Sequence, residues 1–177
     1  MRPISIFVDH GAGISFVPLI LSNIVNIESV ICTEIETKYI DSGMDLWSSL
    51  GIGNKINFNR CSVVDFAYPE NTEVSVVLFA QMLYRIPPEH RFSVLQKAID
   101  ALEPGGLLVI NEIMNRPDLD KRYGTPLVRS QELLEYLHGH SVYVVRSANE
   151  AQNPVRAERA HSDDFMKPTN LVILVKD

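Results

Sequence analysis

The chain has 177 residues, 46% hydrophobic and 21% charged, which fits one domain with a full core and leaves little room for long disorder. A net charge of −6 argues against a broad nucleic-acid-binding face, which needs clustered Lys and Arg. Cys32 and Cys61, both in apolar surroundings, argue against a disulfide framework, and no apolar stretch approaches the ~20 residues of a membrane span. The first residues run into a strand without a charged leader, so a cytoplasmic location is expected.

In chain order, Ile4, Ile6, Phe7 and Val8 predict a buried strand. Asp9, Gly11 and Gly13 end it in a tight turn that a ligand can approach closely. SFVPLILSNIVN (15–26) is apolar all round and predicts a buried helix, with Ser15 as its cap and Pro18 in its first turn. ESVICTEIE (28–36) reads as a second strand and KYIDSGMDLWSSLG (38–51) as a helix in which Tyr39 and Trp47 are packing residues. KINFNRCSVVDF (55–66) and EVSVVLFAQMLY (73–84) are the third and fourth strands, separated by a turn-rich segment. EHRFSVLQKAIDALEPGG (89–106) sets Phe92, Leu95, Ile99 and Leu102 at helical spacing and stops at Pro104-Gly105-Gly106. LLVINEIM (107–114) is a fifth strand, 115–129 a loop, 130–139 a helix, 141–149 a sixth strand, 150–168 a long polar loop and 169–177 a final strand.

Strands that are continuous apolar runs, alternating with helices, imply an α/β, doubly wound, mostly parallel sheet covered on both faces. In such sheets ligands bind beyond the carboxyl ends of the strands, where strand order reverses, and the loop at Asp9–Gly13 is placed there. A dinucleotide fingerprint would require glycine where Phe16 stands.

The chain resembles instead the class I S-adenosylmethionine-dependent methyltransferases. VDHGAGIS (8–15) is similar to their acid-x-Gly-x-Gly loop, VICTEIE (30–36) to the second strand with its terminal acid, and ALEPGGLLVINE (101–112) to the turn and fifth strand. The resemblance implies a Rossmann-like seven-stranded sheet with an antiparallel last strand, spanning 1–177 as one cofactor-binding domain. It also implies that Gly11 and Gly13 face the methionyl part of S-adenosylmethionine, and that Asp9 bonds its amino group or holds the loop. Glu34 would accept the ribose hydroxyls, with a solvated strand-end acid as the alternative, and Ile35 would pack on the adenine. Ser62 stands where an acid is usual and would accept the adenine amino group, with Val63 against the ring; Asp65 serves only if the loop bends differently. Phe79, near the end of the fourth strand, completes the implied cofactor set. Ser75 replaces an Asp that is commonly structural.

LFAQMLYRIPPEHRFSVLQKAIDALEPGG (78–106) is similar to the corresponding part of small-molecule O-methyltransferases of the caffeic acid and hydroxyindole type. Those enzymes carry a His base at the position of Tyr84. A neutral Tyr, with a reference pKa of about 10, is a poor base, so Tyr84 would position substrate, cover the sulfonium or simply line the rim. Glu112 matches an acid that flanks the family's base, so Tyr84 and Glu112 are the candidate catalytic pair. A second such acid falls near Val128 and is missing, and His90 reads as a solvated helix residue. The chain begins at strand one, so a substrate lid is expected from 115–129, from 150–168 or from another chain in a homodimer or complex. His138-Gly139-His140 has no nearby Cys or acidic partner and predicts no metal. The expectation is a methyltransferase for a small molecule. The alternative is a methyltransferase-like binding or regulatory subunit without catalysis. A nucleic acid or protein substrate is disfavoured by the acidic charge and by AQMLY (80–84), which stands where an Asn-Pro-Pro-Tyr-type motif would be.

Overall fold

A computed structural model describes residues 3–70, 72–112, 128–138, 140–145 and 170–177. The elements are β1 (Ile4–His10), α1 (Phe16–Leu21), β2 (Ile27–Glu34), α2 (Thr37–Ser49), β3 (Ile56–Arg60), β4 (Val74–Ala80), α3 (Pro88–Ala101), β5 (Leu102–Glu112), α4 (Ser130–Tyr136), β6 (Ser141–Val145) and β7 (Asn170–Val175). Single 3-10 turns at Gly53–Lys55 and Leu83–Arg85 precede β3 and follow β4. Of the expected loop over 115–129, residues 115–127 lie outside the described residues, as do 113–114 of the expected fifth strand, Gly139 of the expected helix, 146–149 of the expected sixth strand, the polar segment 150–168 and Thr169 of the expected final strand.

The strands lie in the order β3-β2-β1-β4-β5-β7-β6. The pairs from β3 through to β5 are parallel, and β7 runs antiparallel to both β5 and β6. The chain moves outward from β1 to β3, then returns to lay β4 on the other side of β1, so strand order reverses between β1 and β4.

Alternation along each strand separates two cores. Val8, Val77, Phe79, Leu108 and Ile110 face α3 and α4, where they meet Val94, Leu95, Ile99, Leu133 and Leu137. Phe7, Val30, Cys32, Val76 and Leu78 face the other side and enclose Leu19 of α1 and Trp47 of α2. Helices on both faces explain why the central strands read as unbroken apolar runs: β4 is buried from Val74 through Phe79.

Three local expectations are corrected. The first helix is only six residues long, and its Phe16, Val17 and Ile20 are exposed; Pro18 and Leu19 alone are buried. Ser15 makes no capping bond: its backbone is left-handed (φ 57°), and its hydroxyl donates to Asp9 Oδ2 at 3.0 Å. α3 ends at Ala101, and Leu102 through Gly106 belong to β5, where Gly105 N–H donates to Lys176 O at 2.8 Å and so carries the bonding between β5 and the last strand past Val175. Ser75, expected as a departure from a structural Asp, accepts the Ser5 N–H at 3.1 Å and ties β4 to β1. No helix among the described residues is long and apolar enough to cross a membrane.

Candidate active site

A cavity of about 430 Å³ opens at the carboxyl ends of β1, β2, β3 and β4. Four segments wall it: the glycine loop, residues 33–36 after β2, residues 61–64 after β3 and residues 80–87 after β4. Gly11, Gly13, Glu34, Ile35, Ser62, Val63 and Tyr84, each singled out in the sequence, meet on this one wall.

Gly11 and Gly13 both adopt positive φ, 63° and 55°, which a side chain disfavours. A Cβ on Gly13 would meet nothing within 4 Å, so the loop leaves open space there, whereas one on Gly11 would lie 2.5 Å from the Met82 sulfur. The N–H groups of the loop are already engaged: Gly13 donates to Glu34 Oε2 at 2.9 Å and Gly11 to Thr33 Oγ1 at 3.3 Å. Glu34 Oε1 takes the N–H groups of Ile35 (2.8 Å) and Glu36 (3.0 Å). This carboxylate therefore joins the end of β2 to the glycine loop and keeps acceptor capacity on Oε2 alone.

Asp9 lies behind the wall. It is 4% exposed, accepts the Ser15 hydroxyl, and burial pushes its carboxyl up to about 7, with Glu34 adding to the rise. Its partner is a side-chain hydroxyl of the residue that ends the glycine loop, not the loop's backbone N–H groups. Phe79 is also behind the cavity, fully buried with its ring 4.8 Å from the ring of His10. Asp65 is exposed and away from the cavity; Ser62 lines it, and its hydroxyl accepts the Val64 N–H at 3.3 Å.

Glu112 sits under the turn that follows β4. Its Oε1 accepts the N–H groups of Met82 and, at 3.1 Å, Leu83, while Oε2 is buried with no partner among the described residues. Burial raises its carboxyl to about 7 against the lowering effect of these backbone bonds and of Arg91. The same turn puts Gln81 in a left-handed conformation (φ 52°), anchored by its N–H to Asn111 O at 2.8 Å. From above, Arg91 of α3 donates to Ile86 O (3.0 Å) and Tyr84 O (3.4 Å). The 81–86 segment is thus held from two elements, and it presents Met82, Tyr84 and Arg85 to the cavity.

Sequence reasoning missed several residues. His10 is buried between two hydroxyls, Nδ1 to Thr33 Oγ1 at 3.0 Å and Nε2 to Tyr68 OH at 2.7 Å, and burial lowers its pKa to about 3. Thr33, Tyr39, Cys61, Met82 and Arg85 line the cavity, so Tyr39 is more than a packing residue, whereas Trp47 is fully buried as expected. Arg85 Nε donates to Tyr84 OH at 3.0 Å. The sequence signal for these residues was only proximity to strand ends; His90 is exposed, and no metal-holding group occurs among the described residues.

No family model matches the chain. A carboxy-S-adenosyl-L-methionine synthase of Wolinella succinogenes is 34% identical over 64 residues, a match that spans 36% of this chain and 25% of the relative. The N-methyltransferase NodS of Bradyrhizobium japonicum WM9, in complex with S-adenosyl-L-homocysteine, superposes with a TM-score of 0.74 at 11% identity, covering 98% of this chain and 79% of NodS. The magnesium protoporphyrin IX methyltransferase of Synechocystis PCC 6803, with SAM bound, gives 0.67 at 13% identity, covering 99% and 71%. An rRNA methylase from Streptococcus thermophilus gives 0.68 at 18% identity, covering 99% and 89%. Identities this low speak to architecture only: the fold is that of the class I S-adenosylmethionine-dependent methyltransferases.

Proposed function

We propose that residues 1–177 form a single S-adenosylmethionine-binding domain that methylates a small molecule. The observation that carries this is the convergence of Gly11, Gly13, Glu34, Ile35, Ser62 and Val63 on one cavity at the strand switch point. The donor set fits the cofactor in parts. Open space over Gly13 suits the methionyl chain, the unused capacity of Glu34 Oε2 suits a ribose hydroxyl, and Ile35, 60% exposed, offers an apolar face to adenine. The acid-free Ser62–Val63 wall accepts a neutral base edge without a charge to desolvate. Asp9 and Phe79 act from behind, the first through Ser15 and the second through His10.

When bound, the cofactor supplies an electrophilic methyl group on a sulfonium. Tyr84 lines the cavity, its hydroxyl bonded by Arg85, and would position a substrate there, while Glu112 holds the segment that carries it. Among the described residues no histidine lines the cavity, and the residues that do line it contribute positioning, so the reading favours a nucleophile that needs little activation, such as an amine, thiol or enol. The small-molecule reading is supported by the acidic charge and by a neighbour whose substrate is magnesium protoporphyrin IX.

Calorimetric titration with S-adenosylmethionine and S-adenosylhomocysteine tests the proposal. The expected result is binding that Glu34→Ala weakens more than Asp65→Ala; absence of binding at millimolar ligand overturns it.

A further inference from the structure

We propose that Arg85 is a substrate-specificity residue that takes a carboxylate, so that the substrate is a small organic acid carrying its nucleophile elsewhere in the molecule. This rests on the methyltransferase reading above and assigns the chemistry of its second ligand.

Arg85 lines the cavity together with Glu34, Glu36, Tyr39 and Tyr84. Its one hydrogen bond among the described residues runs from Nε to Tyr84 OH at 3.0 Å, and its guanidinium carbon lies 5.3 Å from the Tyr84 ring centroid. These two contacts use the inner nitrogen and set the plane of the group. The outer fork, formed by the two terminal nitrogens, has no acceptor among the described residues.

No acid bonds to it among the described residues. Glu34 is near enough to raise the Arg85 pKa, but its oxygens bond the N–H groups of Gly13, Ile35 and Glu36, and the capacity left on Oε2 is not used by Arg85. The backbone beneath Arg85 is tied down on two sides: Arg91 bonds the carbonyls of Tyr84 and Ile86, and Glu112 accepts the N–H groups of Met82 and Leu83. Arg85 is exposed at the cavity it lines, and its oriented cationic fork is matched by a planar carboxylate, which takes two parallel N–H donors at once. The carboxylate serves as the handle; the attacking atom belongs to another part of the substrate, since an oxygen held by guanidinium is a weakened nucleophile.

The test uses the full chain with and without saturating S-adenosylhomocysteine, and reads saturation-transfer NMR of benzoate, benzamide and inorganic phosphate. Benzoate is expected to bind and benzamide not, with Arg85→Gln weakening benzoate by about tenfold or more and Arg85→Lys falling between. S-adenosylhomocysteine affinity and the melting temperature should stay close to wild type in both variants. Equal binding of benzamide, preference for phosphate alone, or benzoate binding untouched by Arg85→Gln overturns the assignment. So does a loss of S-adenosylhomocysteine affinity in Arg85→Gln, which would give the residue to the cofactor. Failure of S-adenosylhomocysteine to bind the wild type overturns the methyltransferase reading instead, and Arg85-dependent benzoate binding without it would still stand.

Discussion

The Gly13 N–H donates to Glu34 Oε2 across 2.9 Å, so an acid at the end of one strand fixes the shape of the loop at the end of its neighbour. Glu34 is therefore expected to matter before any ligand arrives. Glu34→Gln keeps an acceptor but presents an amide where one of the oxygens now receives N–H groups. It should cost about 1–3 kcal/mol of stability in urea titrations, as well as lowering S-adenosylhomocysteine affinity. If stability is unchanged while affinity falls, the loop holds its shape without Glu34.

Gly13→Ala separates binding from folding. The added methyl meets no protein atom, so only the left-handed backbone is penalised, at about 1–2 kcal/mol. The methyl enters open space at the cavity. If that space takes the methionyl chain, as proposed, S-adenosylhomocysteine affinity should fall by more than about tenfold, read by calorimetry. Gly43→Ala should do the reverse: its Cβ would lie 2.5 Å from the Phe58 ring and 3.2 Å from Ile14 O, so it destabilises the fold in the apo protein.

Three buried groups give a signed dependence of stability on pH. Burial raises Asp9 (from 3.8) and Glu112 (from 4.5) to about 7, and lowers His10 (from 6.5) to about 3. The carboxyl contributions are full below the unfolded values and are lost as pH rises through 7; the His10 contribution is full above 6.5 and is lost as pH falls. Between pH 5 and 6 folding takes up two protons and releases one. Net uptake of one proton makes stability fall by about 1.4 kcal/mol for each unit of rising pH, and the loss continues to about pH 8. Urea midpoints should thus be higher at pH 5.5 than at pH 8. Glu112→Gln should flatten the curve between pH 5 and 6, and a slope that survives in that variant would mean Glu112 is ionised throughout.

Tyr68→Phe removes one partner of His10 and leaves Nε2 buried without a bond, at an expected cost of about 1–3 kcal/mol. In the wild type the His10 ring resonances should not move between pH 5 and 8. Movement over that range would show that water reaches the ring.

The sequence carried the strands well, because residues such as Val74–Phe79 are buried on both faces and leave no other reading. It also carried the address of the site, since strand ends and glycines at positive φ are local features. It did not carry which partner each group meets. Ser15 reads as a helix cap until β1 and β2 bring Asp9 and Cys32 onto its hydroxyl. The free-looking N–H groups of Gly11 and Gly13 are occupied by Thr33 and Glu34, side chains some twenty residues away that only the β1–β2 register delivers. The exposed face of α1 was hidden by composition, for an apolar stretch says nothing about where a helix stops. Arg85 carries no motif, and its place at the cavity beside Tyr84 emerges only from the fold.

The position of β7 bears on how the chain is made. It follows β6 in sequence but lies inside it, between β5 and β6, with Lys176 bonded to Gly106 and, through its ammonium, to the carbonyls of Asp100 and Leu102. During synthesis every strand around the cavity is available before β7 emerges, while the free edge of β5 has no neighbour until residues 170–175 leave the ribosome. Until then the nascent chain exposes an open strand edge of apolar residues, the kind of surface that pairs with other chains. Ribosome-bound chains stalled before residue 170 should bind holdase chaperones, and those stalled far enough beyond residue 177 for β7 to clear the exit tunnel should not.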